Sequence, residues 1–271
     1  MHSFPKIVSL LSLLLVHTQL HAQDSTAQIR FLPSGKLFPV LTADGLAHQF
    51  SISRVTDNRE YIAAIGGAVP IVQLKLDELQ IQSGVGVTLF NRIIKTPGHI
   101  TVYTIDYKVD VPFDIAFPWL TLRIAVGHIS CHFADDGIEI LGKHSIQHVN
   151  DYFTVLASRN IPAINGYIYG GFNYSYGTQP IAHKPWLFQA GAHFGNHPVH
   201  DAILLYGAID MKLREENGWG STRSFQIGAK FFPHSHLSAR IAYTFRQGFE
   251  ERGQFYLDTT TLNLLSLYFD F

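Results

Sequence analysis

Apolar and polar residues alternate along most of the chain with a period of two. In residues 100–111, "ITVYTIDYKVDV", one parity holds Tyr103, Ile105, Tyr107, Val109 and Val111, and the other holds Thr104, Asp106, Lys108 and Asp110. Residues 186–194 set Trp186, Phe188, Ala190, Ala192 and Phe194 against Gln189, Gly191 and His193. Residues 223–231 and 237–246 repeat the pattern, with Phe225, Phe231, Ile241 and Phe245 opposite Gln226, Lys230, Arg240 and Arg246. Side chains of a strand point alternately to its two faces, whereas a helix repeats every 3.6 residues, so the pattern predicts β-structure.

Twelve such segments follow one another: 46–55, 61–75, 79–90, 100–111, 119–133, 148–158, 164–176, 186–194, 201–214, 222–232, 237–247 and 257–271. Many exceed the five or six residues usual in a globular strand and reach the 9–11 that cross a bilayer. The predicted fold class is all-β, a closed antiparallel transmembrane β-barrel of about 12 strands. The connections support it. Short turns such as "NIPA" and "PHSH" fall at one end, taken as periplasmic. Longer loops such as 91–99, 134–148 and 177–185 fall at the other. The apolar parities, with Tyr103, Ile105, Tyr107, Trp186, Phe188, Phe225, Phe231, Ile241 and Phe245, are then expected to face lipid. Polar residues such as Asp106, Lys108, Asp110, Arg123, Gln226, Lys230, Arg240 and Arg246 are expected to fill the lumen.

Both termini agree with this fold. Lys6, the apolar run 7–16 and Ala22 read as a signal peptide over 1–22, since ten apolar residues are too few to span a membrane. Residues 23–45 form an N-terminal extension before the barrel at 46–271. Pro33, Gly35 and Pro39 give the extension turn character, and it is either a short plug or a periplasmic tail. The final strand places Leu265, Leu267, Phe269 and Phe271 on one parity and ends at Phe271. It looks like the signal read by the barrel-assembly machinery of the bacterial outer membrane. The expected location is that membrane, with its lipids and the assembly machinery as partners.

Composition narrows the picture. Charged residues are 15 % and aromatics 13 %, which fits either a large buried core or a lipid-facing surface. The net charge of −1 gives no basic excess for nucleic acid. Cys131 is the only cysteine, so neither an intramolecular disulfide nor a four-cysteine zinc site can form. No cofactor and no metal are expected.

The candidate chemistry lies in "GHISCHFADD", residues 127–136. His128, Ser130 and His132 share one parity, and Gly127, Ile129, Cys131 and Phe133 the other. Residues two apart on a strand share a face about 6.6–6.8 Å apart. A histidine can therefore serve a serine hydroxyl as general base if a third group orients the imidazole. The candidate catalytic set is His128, Ser130 and Asp135, with Asp151 or Asn150 as other possible orienting groups. His132, Asp136, His148 and Asp151 are candidate binding residues. His128 and His132 lie about 13 Å apart, too far to share a metal ion. The apolar parity of this strand is expected to face lipid, which turns His128, Ser130 and His132 into the lumen. Filling of a polar interior is the simpler use for them.

Several motifs occur in a familiar order: "LFPVLTAD" (37–44), "DYKVDVPFDIAF" (106–117), "RIAVGHISCHFADD" (123–136), "YIYGGFNYSYG" (167–177) and "WLFQAGAHF" (186–194). Together they resemble an uncharacterised family of bacterial outer-membrane proteins that carry a domain of unknown function and a pattern like H-x-S-S-H-x-G-D-E. His128, Ser130, His132 and Asp135 match it, while Cys131, Ala134 and Asp136 depart. The resemblance implies a barrel and its location, and no activity. His128-Ile129-Ser130 is also similar to the H-x-S of outer-membrane phospholipases and lipid A deacylases, whose pair faces the membrane. Two functions stand open. The favoured one is a structural, narrow-pore or binding barrel. The alternative is a lipid-acting hydrolase using Ser130 and His128.

Overall fold

A long alternating segment leaves rows of backbone N–H and C=O groups that only neighbouring strands can satisfy, and a closed ring of strands leaves no row unpaired. The computed structural model of the protein describes residues 27–180, 184–235 and 237–271 and forms such a ring. The signal peptide expected at 1–22 lies outside the described residues.

Twelve strands build the wall: β2 (Phe50–Val55), β3 (Glu60–Leu76), β4 (Leu79–Thr96), β5 (His99–Ala116), β6 (Thr121–Phe133), β7 (His148–Ile161), β8 (Gly166–Gln179), β9 (Trp186–His200), β10 (Ile203–Arg214), β11 (Gly220–Phe231), β12 (Ser238–Phe249) and β13 (Thr259–Asp270). Each pairs antiparallel with the next, and β13 closes on β2 through Phe269↔Phe50 to Leu264↔Val55. All twelve expected segments are present. β1 (Gln28–Phe31) lies outside the ring and pairs with the end of β3. Helix α1 (Asp135–Leu141) sits in the β6–β7 connection. No described helix is long and apolar enough to cross a membrane.

The rim that carries α1 is called upper here, and the rim beside the C-terminus lower. The expected long loop at 91–99 is not found, because β4 and β5 continue to Thr96 and His99 around a two-residue turn with Gly98 at φ 83°. Local breaks in register redirect individual side chains. Pro70 has no N–H to donate, and β3 bulges between Pro70 and Val72. β5 bulges at Tyr103, since Arg92 pairs with Thr104 and Ile93 with Val102. The extra residue turns Tyr103 inward, against its expected lipid-facing position. Its hydroxyl donates to Glu60 Oε2 at 2.8 Å, and Arg92 lies over its ring.

Elsewhere the outer wall is apolar as expected, with Tyr107, Phe188, Phe225 and Ile241 exposed. Aromatic rings gather on it near the upper rim, where Tyr174, Trp186, Phe188 and Trp219 touch in sequence. A second set, with Phe113, Phe117, Trp119 and Phe269, lies near the lower rim. The inner wall is polar and paired. Arg123 grips Asp114 through two bonds of 2.7 and 2.8 Å, and Arg240 grips Asp270 through two of 2.8 Å. Gln226 accepts from Tyr206 and donates to Thr244 and to the Tyr268 hydroxyl.

Candidate functional site

The lumen is filled from the N-terminal side. Residues 36–48 lie inside it as a plug, while residues 28–31 of the expected extension form β1 outside the ring. Phe38 is buried beneath the Arg123 guanidinium, 4.5 Å from its ring centre. Thr42 Oγ1 is 3.0 Å from His193 Nδ1, and the Tyr167 hydroxyl donates to the Val40 carbonyl. His48 bridges Asp110 Oδ2 at 2.7 Å and Thr88 Oγ1 at 3.0 Å.

The centre of the plug is Asp44. The Lys212 ammonium donates to Asp44 and to Glu251, and lies 3.8 Å from Asp210. Gln189 donates to Asp44 and to Asp210. Asp44, Asp210 and Glu251 offer oxygens within 4.8 Å of one another, a spacing that a metal ion could use. The Lys212 cation already stands among them and supplies that charge. Burial works against ionisation of Asp44 and Glu251, but Lys212, joined at Glu251 by Arg246 at 3.3 Å, outweighs it and holds both below the ordinary carboxylate range. Nothing in the local sequence around Lys212 announces this role. A cavity of about 170 Å³ remains between plug and wall.

The opening motif lies on the other surface. On β6 the inward set is Arg123, Ala125, Ile129 and Cys131, while Ile124, Val126, His128 and His132 are exposed on the outer wall. His128, Ser130 and His132 therefore face outward, and the expected lumen-facing orientation is corrected. The reason is the plug. Ile129 and Cys131 pack with Tyr152 against Leu46 of the plug, so this part of the inner wall is an apolar contact. The lower half of β6 fixes the parity by aiming Arg123 at Asp114 inside.

Three strands meet at the motif. His128 is registered opposite Asp151 of β7, and Ser130 opposite Tyr107 of β5. His128 Nδ1 lies 2.6 Å from Asp151 Oδ1, and the two side chains are 46 % and 41 % exposed. An ionised carboxylate can only accept, so Nδ1 carries the proton, which in the neutral imidazole leaves the lone pair on Nε2. Ser130 is the next same-face residue along β6. Its hydroxyl makes no hydrogen bond to any described residue. The Tyr107 ring meets His132 edge-on at 5.8 Å. Asp151 thus takes the orienting place in which Asp135 was expected. Asp135 and Asp136 open α1, and their side chains lie outside the described residues. His148, three residues from Asp151, falls on the opposite face. It points inward against the Tyr256 ring at 5.3 Å and does not join the outer cluster. Tyr107 belongs to the cluster, and only strand register could have shown it.

An Asp–His pair beside a serine can remove the serine proton through the free Nε2 and return it to a leaving group, with the carboxylate holding the imidazole tautomer. Residues 10–271 match a family model described as "Protein of unknown function (DUF1207)". None of the curated proteins compared with the chain matches it.

Proposed function

The chain belongs to this family of unknown function, and from the geometry of its wall we propose that it is an outer-membrane β-barrel that hydrolyses acyl esters of membrane lipid. The observation that carries the proposal is the 2.6 Å Asp151–His128 bond beside Ser130 on the outer wall, where acyl chains would lie. Polar groups on a lipid-facing wall are costly, so a hydrogen-bonded set there needs a reason other than filling space. In the reaction, Ser130 Oγ attacks the ester carbonyl carbon while His128 Nε2 takes its proton. The tetrahedral adduct collapses as the alcohol leaves with that proton. Water, deprotonated by His128, then attacks the acyl-serine carbonyl, and the fatty acid is released as Ser130 Oγ takes that proton back from His128.

The two aromatic bands flanking an aliphatic wall support the membrane location, as does the exposed apolar row of β13 with Leu265 and Phe269. That row also fits recognition by an assembly machinery. Replacing Ile241, exposed on the aliphatic wall, by Arg is expected to cost roughly 2–4 kcal/mol of barrel stability in vesicles. A change below about 0.5 kcal/mol, the ordinary effect of a water-exposed site, would count against the membrane wall.

The plug weighs against an open pore. Exchanging residues 33–46 for a Gly–Ser linker of equal length is expected to raise conductance in planar bilayers, where the full chain passes little current. Equal conductance of the two proteins would mean that wall side chains alone close the lumen. The hydrolase proposal is tested by the fatty acid released from phospholipid and lipid A vesicles by the full chain and by its Ser130→Ala form. Release by neither form, or equally by both, would overturn it.

A further inference from the structure

A second polar feature interrupts the outer wall at the upper rim. The outward row of β2 runs Phe50, Ile52, Arg54, and that of β4 runs Val85, Val87, Leu89 and, past buried Asn91, Lys95 at the rim. The lower parts of both rows are apolar and exposed, and both rows end in a cation at the rim. The β2–β3 turn adds a third, because the Lys95 N–H donates to the Arg59 carbonyl at 3.1 Å and draws the turn beside β4. Arg54, Arg59, Tyr61, Lys95, Thr96 and Pro97 enclose a surface pocket of about 350 Å³.

Arg54 is held in place. Its Nη1 donates to the carbonyls of Val55 at 2.7 Å, of Asn58, and of Glu60 at 3.3 Å, and its guanidinium lies 5.1 Å from the Tyr61 ring centre. The nearest carboxylates in sequence are engaged elsewhere. Asp57 accepts from Thr56 and Asn263, and Glu60 accepts from Arg92 and Tyr103. None of the three cations has a carboxylate partner among the described residues.

Three cations without counter-charge around one pocket favour an anion, and a guanidinium fork suits phosphate oxygens. The place of the pocket selects the source of that phosphate. It sits where an apolar wall ends, so acyl chains can lie along Ile52 and Val87 while the charged group enters the pocket. We propose that this pocket binds the phosphate group of a membrane-lipid headgroup. The proposal rests on the membrane location argued above and is independent of hydrolysis.

The test uses the full chain in neutral detergent micelles, in the Ser130→Ala background so that no lipid is consumed. Fluorescent phosphatidic acid is titrated into this protein and into a form that also carries R59Q/K95Q, which leaves the Arg54 hold on the turn intact. The expected result is at least about tenfold weaker binding by the R59Q/K95Q form. Diacylglycerol should bind the parent at least as weakly, and equimolar inorganic phosphate should not displace the lipid. Heat-modified gel migration checks that both proteins are folded. Equal affinity of the two forms would overturn the site, and displacement by equimolar phosphate would overturn the lipid assignment. Because binding is read without turnover, neither outcome bears on the Ser130 reaction, and membrane fractionation tests the shared premise separately.

Discussion

Replacing Lys212 by methionine is expected to destabilise the barrel by about 3–5 kcal/mol, the usual cost of stranding buried charge. Lys212 is the only cation that touches Asp44 among the described residues, and it also neutralises Glu251 and faces Asp210. Methionine keeps much of the volume and removes the charge, leaving three carboxylates crowded in a buried site. The pH dependence gives the effect a sign. In the native protein Asp44 and Glu251 are held below their unfolded pKa values, near 4. Their contribution is therefore present above about pH 4 and fades as pH falls through the lower folded values. Without Lys212, burial dominates at Asp44 and its folded value rises above the unfolded one, while Arg246, 3.3 Å from Glu251, still favours the Glu251 carboxylate. The variant then binds protons on folding and loses stability as pH increases from about 4. The gap between the two proteins should widen from pH 4 to pH 7, as measured by urea midpoints in detergent. A gap that is constant across this range would mean that Lys212 acts by packing and not by charge.

The wall was legible because a strand has a period of two and the chain keeps it over twelve segments. Its inside and outside were legible wherever both parities were pure, as around Phe225 and Gln226 or Ile241 and Arg240. Two places broke the inference, for different reasons. Tyr103 sits at a bulge, where one extra residue moves a side chain to the other face, and no residue type marks the spot. On β6 parity alone points the wrong way, because it treats the lumen as uniformly polar. It contains a plug, and Leu46 offers Ile129 and Cys131 an apolar surface to face. A second inner apolar contact joins Val55, Leu262 and Leu264. The candidate site followed from these assignments. His128 and Ser130 were visible as a spacing, but Asp151 and Tyr107 join them through register between strands. The Asp44–Lys212–Glu251 hub joins residues 168 and 39 apart in sequence and leaves no local trace.

Single replacement of Ser130 or His128 by alanine is expected to lower lipid-ester hydrolysis by several orders of magnitude. Removing both should cost little more, because nucleophile and base act as a unit. Asp151→Asn should cost roughly 10³–10⁴-fold, since an amide can pair with the wrong tautomer of His128. Stability should move the other way. His128 and Asp151 are half-exposed on a wall that otherwise carries Ile124 and Val126, and in the proposed membrane location lipid penalises polar groups there. Replacing the two together by Leu and Val should therefore leave the barrel as stable as before or more so, while hydrolysis is lost. That opposition is the mark of a site kept for its chemistry at some cost to the fold. A structural role predicts the reverse, with lowered stability and an unchanged yield of fatty acid. Measuring urea midpoints and fatty-acid release on the same five variants separates the two. A Ser130→Ala protein with native rates would leave the hydrolase without its nucleophile, whatever the other variants do.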